Sequence, residues 1–104
     1  MVEKASRLKI TVLRRFAPKE VFDEPPVKGG TNSVCEVYKD GQVFYVEDNG
    51  RMPEGFCGWA WDDIYKGVQT LRFNGDFSWF GEPGVSVNCC TDGLRPVVFK
   101  IERV

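Results

Sequence analysis

The sequence contains no histidine, and this absence removes several kinds of catalytic and metal site at once. Without an imidazole the chain has neither a Cys–His nucleophile pair nor a mixed Cys/His zinc site. Four cysteines are present. The remaining alternatives are thiolate chemistry, an all-cysteine metal site, or thiols that only pack. The sequence alone names no reaction, and whether the protein is an enzyme stays open.

The chain also lacks long apolar runs and a surplus of either charge. No stretch approaches the roughly 20 apolar residues that span a bilayer, and residues 1–7 contain no apolar signal-peptide core. Fourteen basic and fifteen acidic residues give a net charge of −1, whereas nucleic-acid binding requires a basic surplus. We therefore predict a cytoplasmic protein with reduced thiols that binds neither membranes nor nucleic acids.

The length of 104 residues predicts one compact domain covering residues 1–104. Apolar alternation predicts strands within 8–16, 34–38, 42–47, 84–90 and 96–104, and a helix over 59–73. The expected fold class is α+β. We expect a curved, mainly antiparallel sheet of about five strands packed against one main helix, with the C-terminal hairpin in its centre.

The helix prediction depends on an apolar stripe and on its flanking residues. Ile64, Val68 and Leu71 recur at helical spacing. Asp62 and Asp63 are expected in the first turn, where carboxylates favour the positive end of the helix dipole. Asn74 and Gly75 follow as a C-terminal stop signal.

Cys57 directly precedes this helix, and two interpretations of it stay open. A helix N-terminus stabilises a thiolate, which predicts a reactive or metal-bound cysteine. Alternatively, Cys57 is a small apolar residue packed under neighbouring rings, as free cysteines most often are, and Phe56, Trp59 and Trp61 would supply those rings.

Cys89 and Cys90 are adjacent in a predicted strand, so their side chains should point to opposite faces. We expect Cys89 in the core with Val85 and Val87. Cys90 would then lie at the strand end beside Asp92 and Arg95.

An all-cysteine metal site would have to use cysteines far apart in the sequence. The C-x₂₋₄-C knuckles typical of zinc sites are absent, which disfavours a site of four thiolates. A three-thiol metal site formed by Cys35, Cys57 and Cys90 remains a hypothesis.

Residues 52–65 (MPEGFCGWAWDDIY) and 89–100 (CCTDGLRPVVFK) resemble a family of small bacterial and archaeal single-domain proteins. That family has no established activity, so the resemblance implies kinship and not function. It implies that Cys35, Cys57 and Cys90 belong to a shared pattern, together with the Trp-Ala-Trp and Asp-Gly-Leu-Arg-Pro segments. The pattern marks either a shared site or a shared core.

Three functional hypotheses follow. The first is a binding module that holds a metal ion or small ligand near Cys57 and Cys90. The second is a structural or interaction domain with buried thiols, which could form a homodimer. The third is a thiol redox protein with Cys57 as nucleophile and Cys90 as resolving thiol. For the binding module, the expected ligand-contacting residues are Trp59, Trp61, Asp92 and Arg95.

Overall fold

The computed structural model describes residues 5–104, so the first four residues of the predicted 1–104 domain lie outside the description. Within it, four strands form one antiparallel sheet in the order β2-β1-β4-β3, which confirms the α+β class. The elements are β1 (Leu8–Arg15), α1 (Pro18–Val21), β2 (Val43–Val46), α2 (Gly58–Arg72), a 3₁₀ turn (Ser78–Phe80), β3 (Val85–Cys89) and β4 (Val97–Arg103).

The core lies between one face of this sheet and α2. Alternate residues of β1 and β4 are fully buried, as the apolar alternation predicted. One stripe of α2 covers them, and a group of aromatic rings closes the end of the core near the start of α2. The main buried side chains are Leu8, Ile10, Val12, Phe44, Val46, Phe56, Ile64, Val68, Leu71, Val97, Phe99 and Ile101.

The predicted strand at 34–38 is wrong, and the described residues contain four strands where about five were expected. This segment is an irregular loop in which two backbone carbonyl groups accept hydrogen bonds from an arginine side chain and not from a neighbouring strand. Nη1 of Arg15 donates to the carbonyl oxygens of Cys35 at 3.1 Å and of Tyr38 at 2.7 Å. The predicted curvature of the sheet is not confirmed.

A β-bulge in β1 brings Arg15 to that loop. The register with β4 shifts between Val12 and Arg14, which leaves Leu13 as the extra residue. Without the bulge the alternation would have turned Arg14 inward. With it, Arg15 pairs with the buried Val97 and lies on the inner side of the sheet.

The predicted helix exists, displaced by one residue toward the N-terminus. Because α2 begins at Gly58, Asp62 and Asp63 lie in its second turn and not in the first, and the first turn contains no acidic residue. The C-terminal stop is confirmed. Asn74 adopts a φ of 66°, and the amide of Gly75 donates to the carbonyl of Thr70 at 2.8 Å, as in a Schellman motif.

The expected burial of Cys89 is wrong, because β3 presents the opposite face to the helix. Ser86 and Asn88 pair with inward-facing residues of β4, and Ser86 is fully buried, whereas Val87 and Cys89 are exposed. Gly67 of α2 makes room for the face of β3 that carries Ser86 and Asn88. It lacks the Cβ atom that would lie 2.8 Å from Oδ1 of Asn88, so these two polar side chains fit beneath the helix.

None of the helices within residues 5–104 is long and apolar enough to cross a membrane.

Candidate ligand pocket

A pocket of about 470 Å³ opens beside the N-terminal end of α2. Three segments form it: the 34–38 loop, the beginning of α2, and the segment that joins β3 to β4. Its lining comprises Cys35, Val37, Tyr38, Cys57, Trp59, Ala60, Cys90, Thr91, Asp92, Gly93, Arg95 and Val97.

Cys57 is the N-cap residue of α2, yet its thiol does not cap the helix. The backbone is extended at this residue, and its carbonyl accepts a hydrogen bond from the amide of Trp61 at 2.9 Å. Its own amide donates to the hydroxyl of Tyr38 at 3.1 Å. The thiol makes no capping hydrogen bond, and Cys57 lines the pocket.

Cys90 is the most buried of the four free thiols, with 8% of its surface exposed. Its Sγ accepts a hydrogen bond from the amide of Val97 at 3.3 Å. Burial raises the pKa of the Cys90 thiol, and hydrogen bonds from the amides of Asp92 and Val97 offset only part of this effect. Cys90 therefore favours the neutral thiol.

The exposed ring of Trp59 is fixed at the pocket by a hydrogen-bond chain. Its Nε1 donates to Oγ1 of Thr91 at 2.8 Å. That hydroxyl lies 3.0 Å from both carboxylate oxygens of Asp63, to which it donates, and the amide of Thr91 donates to the same carboxylate at 2.7 Å. Asp63 thus joins the β3–β4 segment to α2.

Asp92 and Arg95 form an ion pair at the pocket, and only the carboxylate has hydrogen bonds to both of its oxygen atoms. Oδ1 of Asp92 accepts the amides of Leu94 and Arg95 at 3.0 and 3.1 Å, and Oδ2 accepts Nε of Arg95 at 3.1 Å. Partial burial raises the pKa of Asp92, but these hydrogen bonds and the guanidinium charge outweigh it, so the net pKa is lowered. Within residues 5–104, neither Nη atom of Arg95 has a hydrogen-bond partner.

Tyr38 lies at the base of the pocket, only 2% exposed, with its ring packed against Phe44, Phe56 and Phe99. Burial raises the pKa of Tyr38 well above its usual range, so the hydroxyl keeps its proton. That oxygen accepts the amide of Cys57. Its proton has no acceptor in the part of the chain that the structure describes.

The pocket brings together most of the residues that the sequence singled out. Trp61 is the exception: it packs against Phe56 and Tyr65, with ring centroids 6.0 and 5.8 Å apart, and is not part of the lining that the described residues form. The predicted site residues that do line the pocket are Cys35, Cys57, Cys90, Trp59, Asp92 and Arg95.

The three thiols share one pocket without forming a metal cluster. Among residues 5–104, no three or more Cys, Asp or Glu side chains form a group that could hold a metal ion. The hypothesis of a metal site at Cys35, Cys57 and Cys90 therefore gains no support from their arrangement.

Sequence reasoning missed two residues of the site. Tyr38 falls in the predicted strand 34–38, and its contact with the amide of Cys57 joins residues 19 positions apart. Thr91 belongs to the Cys-Cys-Thr-Asp segment, but its contact with Trp59 joins residues 32 positions apart. Neither residue carries a local signal of its role.

No family model matches the sequence, no curated protein is similar to it, and no solved structure resembles it. The resemblance carried by segments 52–65 and 89–100 therefore stays a prediction.

Proposed function

We propose that the protein is a binding module for a small organic molecule, which occupies the thiol-lined pocket beside the N-terminal end of α2. The observation that carries the proposal is the convergence of Cys35, Cys57 and Cys90 on one cavity of about 470 Å³. Ligand sites typically have volumes of about 300–1,000 Å³ and combine apolar walls with a few polar groups.

The walls match that description. Ala60 and Val97 are buried and supply apolar surface, and Trp59 adds an indole ring that is 67% exposed although a hydrogen bond holds it in place. An aromatic ring fixed at an open pocket offers contact area at little cost in conformational entropy.

The two other hypotheses fit the thiols less well. A domain with buried thiols should bury all four, whereas Cys89 is exposed and Cys35 and Cys57 are half-buried. A redox pair of Cys57 and Cys90 needs a resolving thiol that ionises readily, whereas burial raises the pKa of Cys90. Homodimer formation and cytoplasmic location stay predictions.

A fragment screen followed by proton–nitrogen correlation NMR tests the proposal. We expect hits whose chemical-shift changes concentrate on the amides of Cys57, Thr91 and Gly93 and on the indole N–H of Trp59, because these groups surround the pocket. Hits that shift only other surfaces, or a library that produces no pocket shifts, would contradict it.

Two tryptophan variants supply a matched control. Trp59 and Trp79 are similarly exposed, at 67% and 74%, but Trp79 does not line the pocket. We expect Trp59→Phe to weaken a pocket hit about fivefold, in the range of a lost aromatic contact. Trp79→Phe should leave the affinity unchanged. Equal effects of the two variants would argue against the pocket as the binding site.

A further inference from the structure

The pocket offers hydrogen-bond donors to a ligand, while two of its oxygen-bearing acceptor side chains, Thr91 and Asp92, already have partners. All three of the hydrogen bonds that reach the Asp92 carboxylate come from its own segment. The hydroxyl of Thr91 both accepts from Trp59 and donates to Asp63. The Asp92 carboxylate and the Thr91 hydroxyl therefore both have hydrogen-bond partners without a ligand.

Two side chains of the pocket lining, Arg95 and Tyr38, have donors without an acceptor among the described residues. Arg95 binds Asp92 through Nε alone, so both Nη atoms and their protons are free. Tyr38 is only 2% exposed, and its hydroxyl proton has no acceptor within residues 5–104. A buried polar hydrogen without a partner costs free energy, and a ligand acceptor would remove that cost.

We propose that the pocket selects small organic acids, with the ligand carboxylate bound by the free Nη edge of Arg95, its apolar body against Trp59, and an oxygen within reach of the Tyr38 hydroxyl. This inference rests on the proposed binding function and adds the chemical class of the ligand. A carboxylate suits the free edge of a guanidinium because two parallel N–H groups meet its two oxygens. An amine would meet the Nη donors of Arg95, and the Asp92 carboxylate that balances the charge of this arginine already accepts three hydrogen bonds.

A matched set of probes tests the inference: 3-phenylpropionate, 3-phenylpropionamide and 3-phenylpropylamine. These share one apolar body and differ in the head group. We expect the carboxylate to bind in the pocket about tenfold more tightly than the amide, as a charge-assisted hydrogen-bond pair provides, and the amine to bind most weakly. The readout is the titration of the Trp59 indole N–H signal by NMR.

Variants assign the preference to the named donors. Arg95→Gln should weaken the carboxylate far more than the amide and so abolish the carboxylate's advantage, whereas Arg51→Gln, outside this pocket, should preserve it. Tyr38→Phe should weaken both oxygen-bearing probes. The correlation spectrum of each variant establishes that it is folded before titration.

The outcomes separate the two proposals. Pocket binding of all three probes with equal affinity, or a carboxylate preference that survives Arg95→Gln, would overturn the inference and leave the binding function intact. Absence of pocket shifts with every probe overturns the inference, and an empty fragment screen in addition would overturn the binding function itself.

Discussion

Replacement of Gly67 by alanine sets two energetic effects of known size against each other. In the interior of a helix, alanine is about 1 kcal/mol more favourable than glycine, which would stabilise the protein. In this fold, however, the new Cβ would lie 2.8 Å from Oδ1 of Asn88 and 3.1 Å from Oγ of Ser86. Both distances are shorter than ordinary van der Waals contact.

Ser86 is fully buried and has no space to move into, whereas Asn88 is only partly buried. The Asn88 side chain must therefore move away from the new Cβ. That movement breaks the hydrogen bond between Oγ of Ser86 and Oδ1 of Asn88 and leaves a buried hydroxyl without a partner. Such a loss costs about 1–3 kcal/mol. After the gain in helix propensity, we expect Gly67→Ala to lower the free energy of unfolding by about 1 kcal/mol, or roughly 4–8 °C in Tm.

Urea unfolding followed by circular dichroism measures this change, with Gly58→Ala as the control. Gly58 also lies in α2, but nothing is within 4 Å of a Cβ built there, so its substitution should not destabilise. In a Ser86→Ala background, Gly67→Ala should lose most of its penalty because no hydroxyl remains to be orphaned. A Gly67→Ala protein more stable than the wild type would refute this reasoning.

Two further predictions concern other parts of the fold. Gly50→Ala should destabilise the protein by about 1–2 kcal/mol more than Gly41→Ala, as judged by urea unfolding. Both glycines have positive φ, but only a Cβ at Gly50 would overlap the Arg72 guanidinium, and equal penalties would contradict this. The fold lowers the pKa of Asp92 below its ordinary value of 3.8. The stabilisation from the ionised carboxylate is therefore present at neutral pH, and it is lost as the pH falls through the folded-state pKa. Asp92→Asn should therefore be less stable than wild type at pH 7 and approach it in acid, whereas a constant difference from pH 7 into acid would count against this account.

Local patterns were enough to predict most of the regular structure. Alternation located β1 and β4, and the Asn74-Gly75 stop ended α2 within a residue of the expected position. These signals are local because each depends on side-chain period or on a backbone conformation within a few residues.

The errors arose where a distant residue decides the conformation. The 34–38 segment has strand-like composition, but Arg15 engages two of its carbonyls from another element. Alternation in β3 was correct, yet the choice of the inward face depends on Gly67 across the helix interface. Sequence reasoning could not weigh these contacts without knowing which elements meet.

The candidate site was predicted as a set of residues and not as a geometry. The binding-module hypothesis placed Cys57 and Cys90 at one site, but their positions in the sequence do not define how the two thiols lie relative to each other. The free donors of Arg95 and Tyr38, from which the ligand class is inferred, depend on hydrogen bonds that only the folded chain defines.

The most direct test of the pocket as a binding site is site-resolved alkylation of the four thiols by iodoacetamide, followed by mass spectrometry, with and without the tightest-binding fragment. Cys35 and Cys57 line the pocket, and Cys89 is exposed on the opposite face of the sheet, where it serves as an internal control. The account predicts that the fragment slows alkylation of Cys35 and Cys57 and leaves Cys89 unchanged. Equal rates at Cys57 with and without a saturating fragment, or equal slowing of Cys89, would contradict it.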